Sequence, residues 1–362
     1  MRVSRGLLTM PIRLRLQYTR YLHWGRHSGF NQLAQFLDRN RFHVRIHAAS
    51  DSDRDLPIPH AGIRHWLRTQ VQKRGMPWYK LSDLAAELRA FPECLLRRTN
   101  IVHFLDGEHC PQYLPEVLKK SRLFHTRTIA TYHQPPELLD DLVDPEVLSH
   151  IDHVTVVSPT QLAFFQKFLP SNRISLLLHG INTDFFRPDS RPRHNDIFKF
   201  ITVGYWLRDW NAVRQVVEEL RGEKNIEFHV VGNWETGLDN IPNVVSHRNI
   251  NDATLRSLYQ QSDMLFLPLT QSTANNTLLE GIACGLPVVS TNLPSIHAYL
   301  PGEEGILIKG NAPSLLIEAI LKIKTDPDLR QRMAKQARIR AEELSWGNVA
   351  QKYEDLYTGL LS

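Results

Sequence analysis

Cysteine is scarce in this 362-residue chain, which has only Cys94, Cys110 and Cys284, far apart and odd in number. That is neither a disulfide framework nor a zinc pattern, and it points to a reducing compartment. No run of about 18 apolar residues occurs, so no membrane span is expected. The opening stretch MRVSRGLLTMPIRLRLQYTRYLHWGR has no apolar core of signal-peptide length. The reading is a cytoplasmic protein, soluble or peripheral. Internal repeats and low-complexity tracts are missing too, which excludes solenoids and long linkers. Asp51-Ser52-Asp53, an Asp-X-Asp triplet, sits in a polar loop, DSDRD. It has no convincing metal-site setting, and neither a metal nor another cofactor is expected.

What is present is a 42% hydrophobic chain, long enough for two domains with sizeable cores. Charge is uneven. Residues 1–80 hold 15 basic side chains against 4 acidic ones, and residues 1–180 hold 24 against 16. The remainder holds 19 against 22. A basic first half beside a mildly acidic second half supports a division in two and suggests an anionic partner for the first. No RNA- or DNA-binding motif accompanies the cations, so nucleic acid is not expected.

Apolar runs read as buried parallel strands: RFHVRIHAA (41–49), NIVHFL (100–105), TIATYH (128–133), HVTVVS (153–158) and RISLLLHG (173–180), then FKFITVG (198–204), EFHVVG (227–232), VVSH (244–247), DMLFLPL (263–269) and PVVST (287–291). Helical patterns lie between them. Strand–helix alternation in two sets, separated by RPDSRPRHND (187–196), implies an α/β class with two doubly wound, Rossmann-like domains. The boundaries are expected at 1–186 and 187–346, with a last helix, 347–362, returning to the first domain. Ligands of open α/β sheets bind beyond the carboxyl ends of the strands, so strand ends and helix starts carry the chemistry.

Three loops stand out. In HWGRHSGFNQLAQFL (23–37), Gly25 and Gly29 flank Arg26, His27 and Ser28 ahead of a helix. Glycines let backbone approach a phosphate, and a helix start favours the anion; an ordinary loop is the alternative. In VGYWLRDWNAV (203–213), Gly204 follows a strand and Arg208 can reach a phosphate in bidentate fashion; a solvated arginine is the alternative. In QSTANNTLLEGIACGLPVVST (271–291), polar residues crowd a helix start. There the amides of Asn276 and Thr277 could hold a phosphate and Asn275 or Asn276 could cap. One turn in, Glu280 could accept bonds from vicinal hydroxyls, or simply favour the helix dipole.

TANNTLLEGIACGLPVVST resembles the donor-site signature of family 4 retaining glycosyltransferases, which have the GT-B fold. VTVVSPTQLAFFQKF, LLLHGINTDFFRP, NDATLRSLYQQSDMLFLPL and LSWGNVAQKYEDLYTGLL extend the resemblance over most of the chain, more firmly after residue 125. It implies two domains facing a cleft, and transfer of a sugar from a nucleoside-diphosphate donor to a hydroxyl acceptor with retention, without a metal. Glu280 takes the place of the glutamate that binds ribose. The family's other signature glutamate falls at Ser272, which leaves the donor sugar open, with Ser272, Thr273 and Asn275 as neutral partners. His133 matches a histidine facing the transferred sugar. Arg208 matches a cation on the diphosphate, and the usual second cation is replaced by Asp209, Trp210 and Asn211. Gly232, Arg248 and Asn249 fall where the base would sit, and Gly29 beside the phosphates. Alternatives are a nucleotide-sugar-binding subunit with little activity and a GT-B nucleotide-sugar epimerase.

The acceptor is read only as a hydroxyl compound, a glycan, a lipid-linked glycan or a small glycoside, with a lipid-linked or anionic one as the option that the basic first half suggests. HAGIRHWLRTQVQKRGMPWYKLSDL (60–84) mixes Arg64, Arg68, Lys73, Arg74 and Lys80 with Ile63, Trp66, Leu67 and Val71 at helical spacing. It reads either as a helix packed on the first domain with a solvated basic face or as a contact with an anionic membrane at its inner face.

Overall fold

The computed structural model describes residues 10–21, 25–72, 76–121, 124–190 and 196–362. Lys73, Arg74 and residues 191–195 of the expected interdomain segment 187–196 lie outside them. Two six-stranded parallel sheets are present. The first contains β1 (Ile12–Arg20), β2 (Phe42–Ser50), β3 (Ile101–Phe104), β4 (Arg127–Tyr132), β5 (His153–Val156) and β6 (Ile174–Leu176), in the order β2-β1-β3-β4-β5-β6. The second contains β7 (Phe198–Val203), β8 (Ile226–Val231), β9 (Val244–His247), β10 (Met264–Leu267), β11 (Val288–Thr291) and β12 (Gly305–Ile308), in the order β12-β11-β10-β7-β8-β9. Parallel neighbours need crossovers, and the helical segments between the strands supply them.

Two strands escape the sequence reading. β1 is IRLRLQYTR, whose arginines make it look like a basic tail. Leu14 and Leu16 enter the core on one face, while Arg15, Gln17 and Thr19 are buried on the other. Arg15 pairs there with Glu93 of the helix Leu81–Leu95. A strand buried on both faces usually reads as continuously apolar, and fully buried arginines are rare. β12, GILI, is a short half-buried edge strand.

The first domain ends earlier than 186. Ile181 and Phe186 belong to the core around Ile201, Leu265 and Leu279, because Phe186 packs its ring on Tyr259. The chain crosses between domains near Leu177–Ile181 and crosses back at Leu344–Trp346. The two crossings run side by side, Ile181 N–H donating to Leu344 O at 3.0 Å and Trp346 N–H to Ile181 O at 2.9 Å. Gly180 is required there, since a Cβ would stand 2.5 Å from the Trp346 indole. The helix Trp346–Gly359 buries Trp346, Val349, Tyr353 and Tyr357 against Leu14, Leu16 and Phe42 of the first sheet.

Candidate functional site

The carboxyl ends of both sheets face each other, and the loops beyond them touch. Gly29 has φ +84°, a conformation that favours glycine, and starts a 3-10 turn, Phe30–Gln32, followed by the short helix Leu33–Phe36. This is too short for the helix dipole expected of the first loop. The loop instead reaches the second domain. Ser28 Oγ donates to Glu280 Oε1 at 2.5 Å, and the backbone N–H of His27 donates to Asp252 Oδ2 at 3.2 Å. The His27 ring stacks on Phe185, which also meets the Arg256 guanidinium and the Phe186 ring. Gly25 sits so close to Asp252 that a Cβ would collide with its carboxylate.

Glu280 lies on the helix Asn276–Ala283, which Asn275 caps by accepting from the Leu278 N–H at 3.2 Å. The amides of Asn276 and Thr277, at the free end of that helix, donate to no partner among the described residues. Glu280 is 4% exposed. Its second oxygen accepts from the Tyr259 hydroxyl at 2.9 Å. Burial pushes its carboxyl up to about 7, against the pull of those two hydrogen bonds.

Arg208 reaches back along its loop to the same helix. Its Nη2 donates to Val203 O at 2.9 Å and Thr277 Oγ1 at 3.1 Å, and Nη1 donates to Trp206 O at 2.8 Å. Nε is buried with no partner. Burial lowers the guanidinium to about 10. Gly204, φ +79°, leaves room for it, since a Cβ would stand 3.4 Å from Nη2. Asp209, where a second cation is missing, caps the helix Trp210–Glu219 and accepts from Asn311 Nδ2 at 2.9 Å.

His133 ends β4 on the opposite wall. Its Nε2 donates to Leu105 O at 2.7 Å and its ring stacks on Phe30. Burial lowers its pKa. Its carbonyl accepts from Thr273 Oγ1 across the cleft. Glu108 Oε1 accepts the backbone N–H groups of His133 and Gln134 at 2.6 and 2.7 Å. Burial, then the neighbouring Asp106, pushes Glu108 up to about 8. Ser272 is buried and donates only weakly to Thr273 O.

The sequence-derived residues Gly29, His133, Gly204, Arg208, Ser272, Thr273, Asn275, Asn276, Thr277 and Glu280 thus meet at one cleft. Gly232, Arg248 and Asn249 lie in the loops after β8 and β9, beside the end of β7, where Gly204 N–H donates to Val231 O at 3.0 Å. Arg248 pairs with Asp239 at 2.8 Å, and Asn249 N–H donates to Asn233 Oδ1 at 2.7 Å. Gly232 makes room for the Trp234 ring, which a Cβ would overlap. Residue-by-residue reasoning placed Ser28 in the first loop without giving it a role, and missed Tyr259, Asp252, Asp106 and Glu108. Tyr259 lay hidden as an ordinary apolar helix position, and the rest had no spacing to reveal them.

Residues 201–326 match the family model described as "Glycosyl transferases group 1". The chain is similar to the D-inositol 3-phosphate glycosyltransferase of Corynebacterium urealyticum, 33% identical over 107 residues, which are 29% of this chain and 25% of that protein. Among solved structures it resembles sucrose-phosphate synthase from Thermosynechococcus elongatus, with TM-score 0.71, 17% identity and 96% and 99% of the two chains covered. It also resembles WaaG, a glycosyltransferase involved in lipopolysaccharide biosynthesis, with TM-score 0.66, 18% identity and 96% and 100% covered. These likenesses establish the two-domain GT-B fold. The matches span about a quarter to two fifths of the length of the first curated relatives.

The Asp252 carboxylate holds the first loop through one backbone N–H. Replacing Asp252 by Ala should raise amide hydrogen exchange at His27 and Ser28 while protection in both sheets stays as in wild type; unchanged exchange at His27 would show that the loop is held by other contacts.

Proposed function

We propose that this chain, whose residues 201–326 match a group 1 glycosyltransferase model within a GT-B frame, is a family 4 glycosyltransferase that moves a sugar from a nucleoside-diphosphate sugar to a hydroxyl acceptor, with retention at the anomeric carbon. The observation that carries this reading is the pairing, at one helix start, of a buried carboxylate with a buried guanidinium. Glu280 offers two acceptor oxygens to ribose hydroxyls, in positions now filled by Ser28 and Tyr259. Arg208, already anchored to Thr277, keeps one unpaired N–H for a phosphate oxygen. The amides of Asn276 and Thr277 add donors, and the helix start adds its partial positive charge.

Loss of the sugar leaves charge on the diphosphate, and fixed donors in a water-poor site stabilise it more than water does. These donors need no metal, so turnover should survive chelation. His133 faces the sugar from the first domain, held in place by Leu105 O and, through its backbone, by Glu108. Ser272 gives the sugar a neutral partner where relatives of the signature have a charge, and this selects the donor sugar. The matched relatives carry a phosphorylated polyol in their name; a sugar or polyol hydroxyl is the acceptor class proposed for this chain.

The helix Ala61–Val71 supports peripheral contact with an anionic membrane. None of its side chains is buried, and Ile63 and Trp66 are 48% and 59% exposed. Arg68 stands beside them, 3.9 Å from Asp53. Among the described residues, no helix is long and apolar enough to cross a membrane.

A thermal-shift screen of nucleotide sugars should select one donor, because a tight ligand stabilises the folded state. Anomeric NMR of the product should show retention. Arg208→Ala should lower turnover by a factor on the order of a hundred with little effect on binding of the nucleoside alone. Full activity of Arg208→Ala would place the diphosphate clamp elsewhere. An altered free nucleotide sugar would mark an epimerase, and binding without turnover a subunit.

Vesicle co-sedimentation should rise with anionic lipid, fall with salt, and drop when Trp66, Arg64 and Arg68 are replaced together. Equal pelleting with neutral and anionic vesicles would contradict the membrane contact.

A further inference from the structure

A cavity of about 440 Å³ opens at the amino end of the first sheet, away from the cleft. It lies between the helix Leu114–Lys120, the end of the helix Pro145–His150, the start of β4 and the chain after the helix Trp346–Gly359. Arg127 opens β4 and His133 follows its last residue. At the rise of a strand they stand about 20 Å apart. Open α/β sheets take their reacting ligands beyond the carboxyl ends of the strands, so this cavity is separate from the cleft. Its volume is that of a small-molecule site.

Part of the lining is apolar. Leu118 is buried in the core of the first domain, and Phe124 and Leu360 are half-buried. The polar part is basic. Lys119 Nζ donates to Asp152 Oδ1 at 2.8 Å, and Arg127 Nη1 stands 3.8 Å from the same oxygen. The two cations are 46% and 53% exposed, and exposed ion pairs hold weakly. The other Asp152 oxygen accepts from the N–H and the hydroxyl of Thr128 at 2.9 and 3.2 Å. An adjoining hollow of about 400 Å³ shares Lys119, Arg127 and Asp152 and adds Arg173, which is anchored on the carbonyls of Ile151 and Asp152. Three cationic side chains thus face one carboxylate, part of the basic surplus of residues 1–180. His150 also lines the cavity, and its Nδ1 is shut off from water with no hydrogen-bond partner. Buried polar atoms are seldom left so.

We propose that this cavity is a second ligand site, which takes a small organic anion with an apolar body. The phosphate or carboxylate group of the ligand draws Lys119 and Arg127 from Asp152 and accepts from both, and one of its oxygens supplies the partner that His150 Nδ1 lacks. The apolar body covers Leu118, Phe124 and Leu360. A bare inorganic anion would leave those side chains in water, and a neutral apolar molecule would leave the cations without an acceptor. The two requirements together define the class. Leu360 directly follows the helix Trp346–Gly359, whose first residue bonds to Ile181 at the domain crossing. The ligand therefore packs against the end of an element that reaches the crossing.

Ligand-observed NMR and calorimetric titration of the full chain test this with phenyl phosphate, 3-phenylpropionate, 3-phenylpropanol and inorganic phosphate. At least one of the two organic anions should bind with a dissociation constant of about 1 mM or tighter. The tighter of them tells whether the site prefers a phosphate or a carboxylate. The alcohol and inorganic phosphate should bind at least about tenfold more weakly. Replacing Lys119 and Arg127 together by Ala should weaken the organic anion at least about tenfold, while the melting temperature of the unliganded protein stays close to wild type, because both side chains are exposed. Saturation with a nucleoside diphosphate should leave this binding unchanged, and occupancy should slow amide exchange at Leu360 and Leu361. No binding of either organic anion, equal binding of the alcohol, or displacement by the nucleoside diphosphate would overturn the proposal. Undiminished binding by the folded double variant would overturn it as well.

Discussion

The cleft depends on one buried carboxylate bridging two domains. Glu280 is rooted in the second domain by its helix and by the Tyr259 hydroxyl, and it is held from the first domain by Ser28. A carboxylate with so little water around it must have its lone pairs filled or take up a proton. In the free protein the opposite domain fills one of them. A ribose hydroxyl supplies the same donor chemistry as Ser28, so binding a nucleotide there and loosening the first loop would be one event. The other contacts across the cleft, His27 with Asp252 and Thr273 with the His133 carbonyl, set how far that loosening can go. The Tyr299 hydroxyl, donating to Val157 O at 2.7 Å and accepting from His179 N–H at 2.9 Å, fixes the axis on the side of the crossings.

Around this centre the two sheets divide the chemistry by the charge of their loops. The second sheet ends in a capped helix, a guanidinium and small hydroxyl side chains, which suit an anion carrying a sugar. The first ends in the buried carboxylates Asp106 and Glu108 and in His133 at the seam.

Much of the donor half could be read from sequence, because there function follows a local pattern. A strand, a glycine with positive φ, an arginine four residues on and a capped helix with a carboxylate in its second turn are all short-range features. Asn275 as cap, Gly204 beneath Arg208 and Glu280 inside its helix are of this kind. The wall formed by the first domain could not be read in the same way. Asp106 and Glu108 follow β3, yet Glu108 accepts from the backbone of His133 and Gln134 at the end of β4, and only the sheet order brings them together. β1 was missed for a related reason: its buried arginine has its partner Glu93 in a helix far along the chain, and no local pattern announces that pairing. The domain boundary shifted because Phe186 answers to Tyr259, about seventy residues later, and not to its sequence neighbours.

The central claim is that Glu280 receives the nucleotide, and its titration tests this directly. With its carboxyl raised to about 7, Glu280 is protonated below that pH and offers ribose one acceptor fewer; above it, both oxygens accept. Calorimetric titration of nucleoside diphosphates across pH 5.5–8.5 should therefore show wild-type affinity strengthening as pH rises through about 7. Glu280→Gln, with the same shape and no titration, should bind about tenfold to a hundredfold more weakly at pH 8, the range of one charged hydrogen bond, and should show only the phosphate's own pH dependence. Equal affinity and equal pH profiles in the two folded proteins would contradict the account.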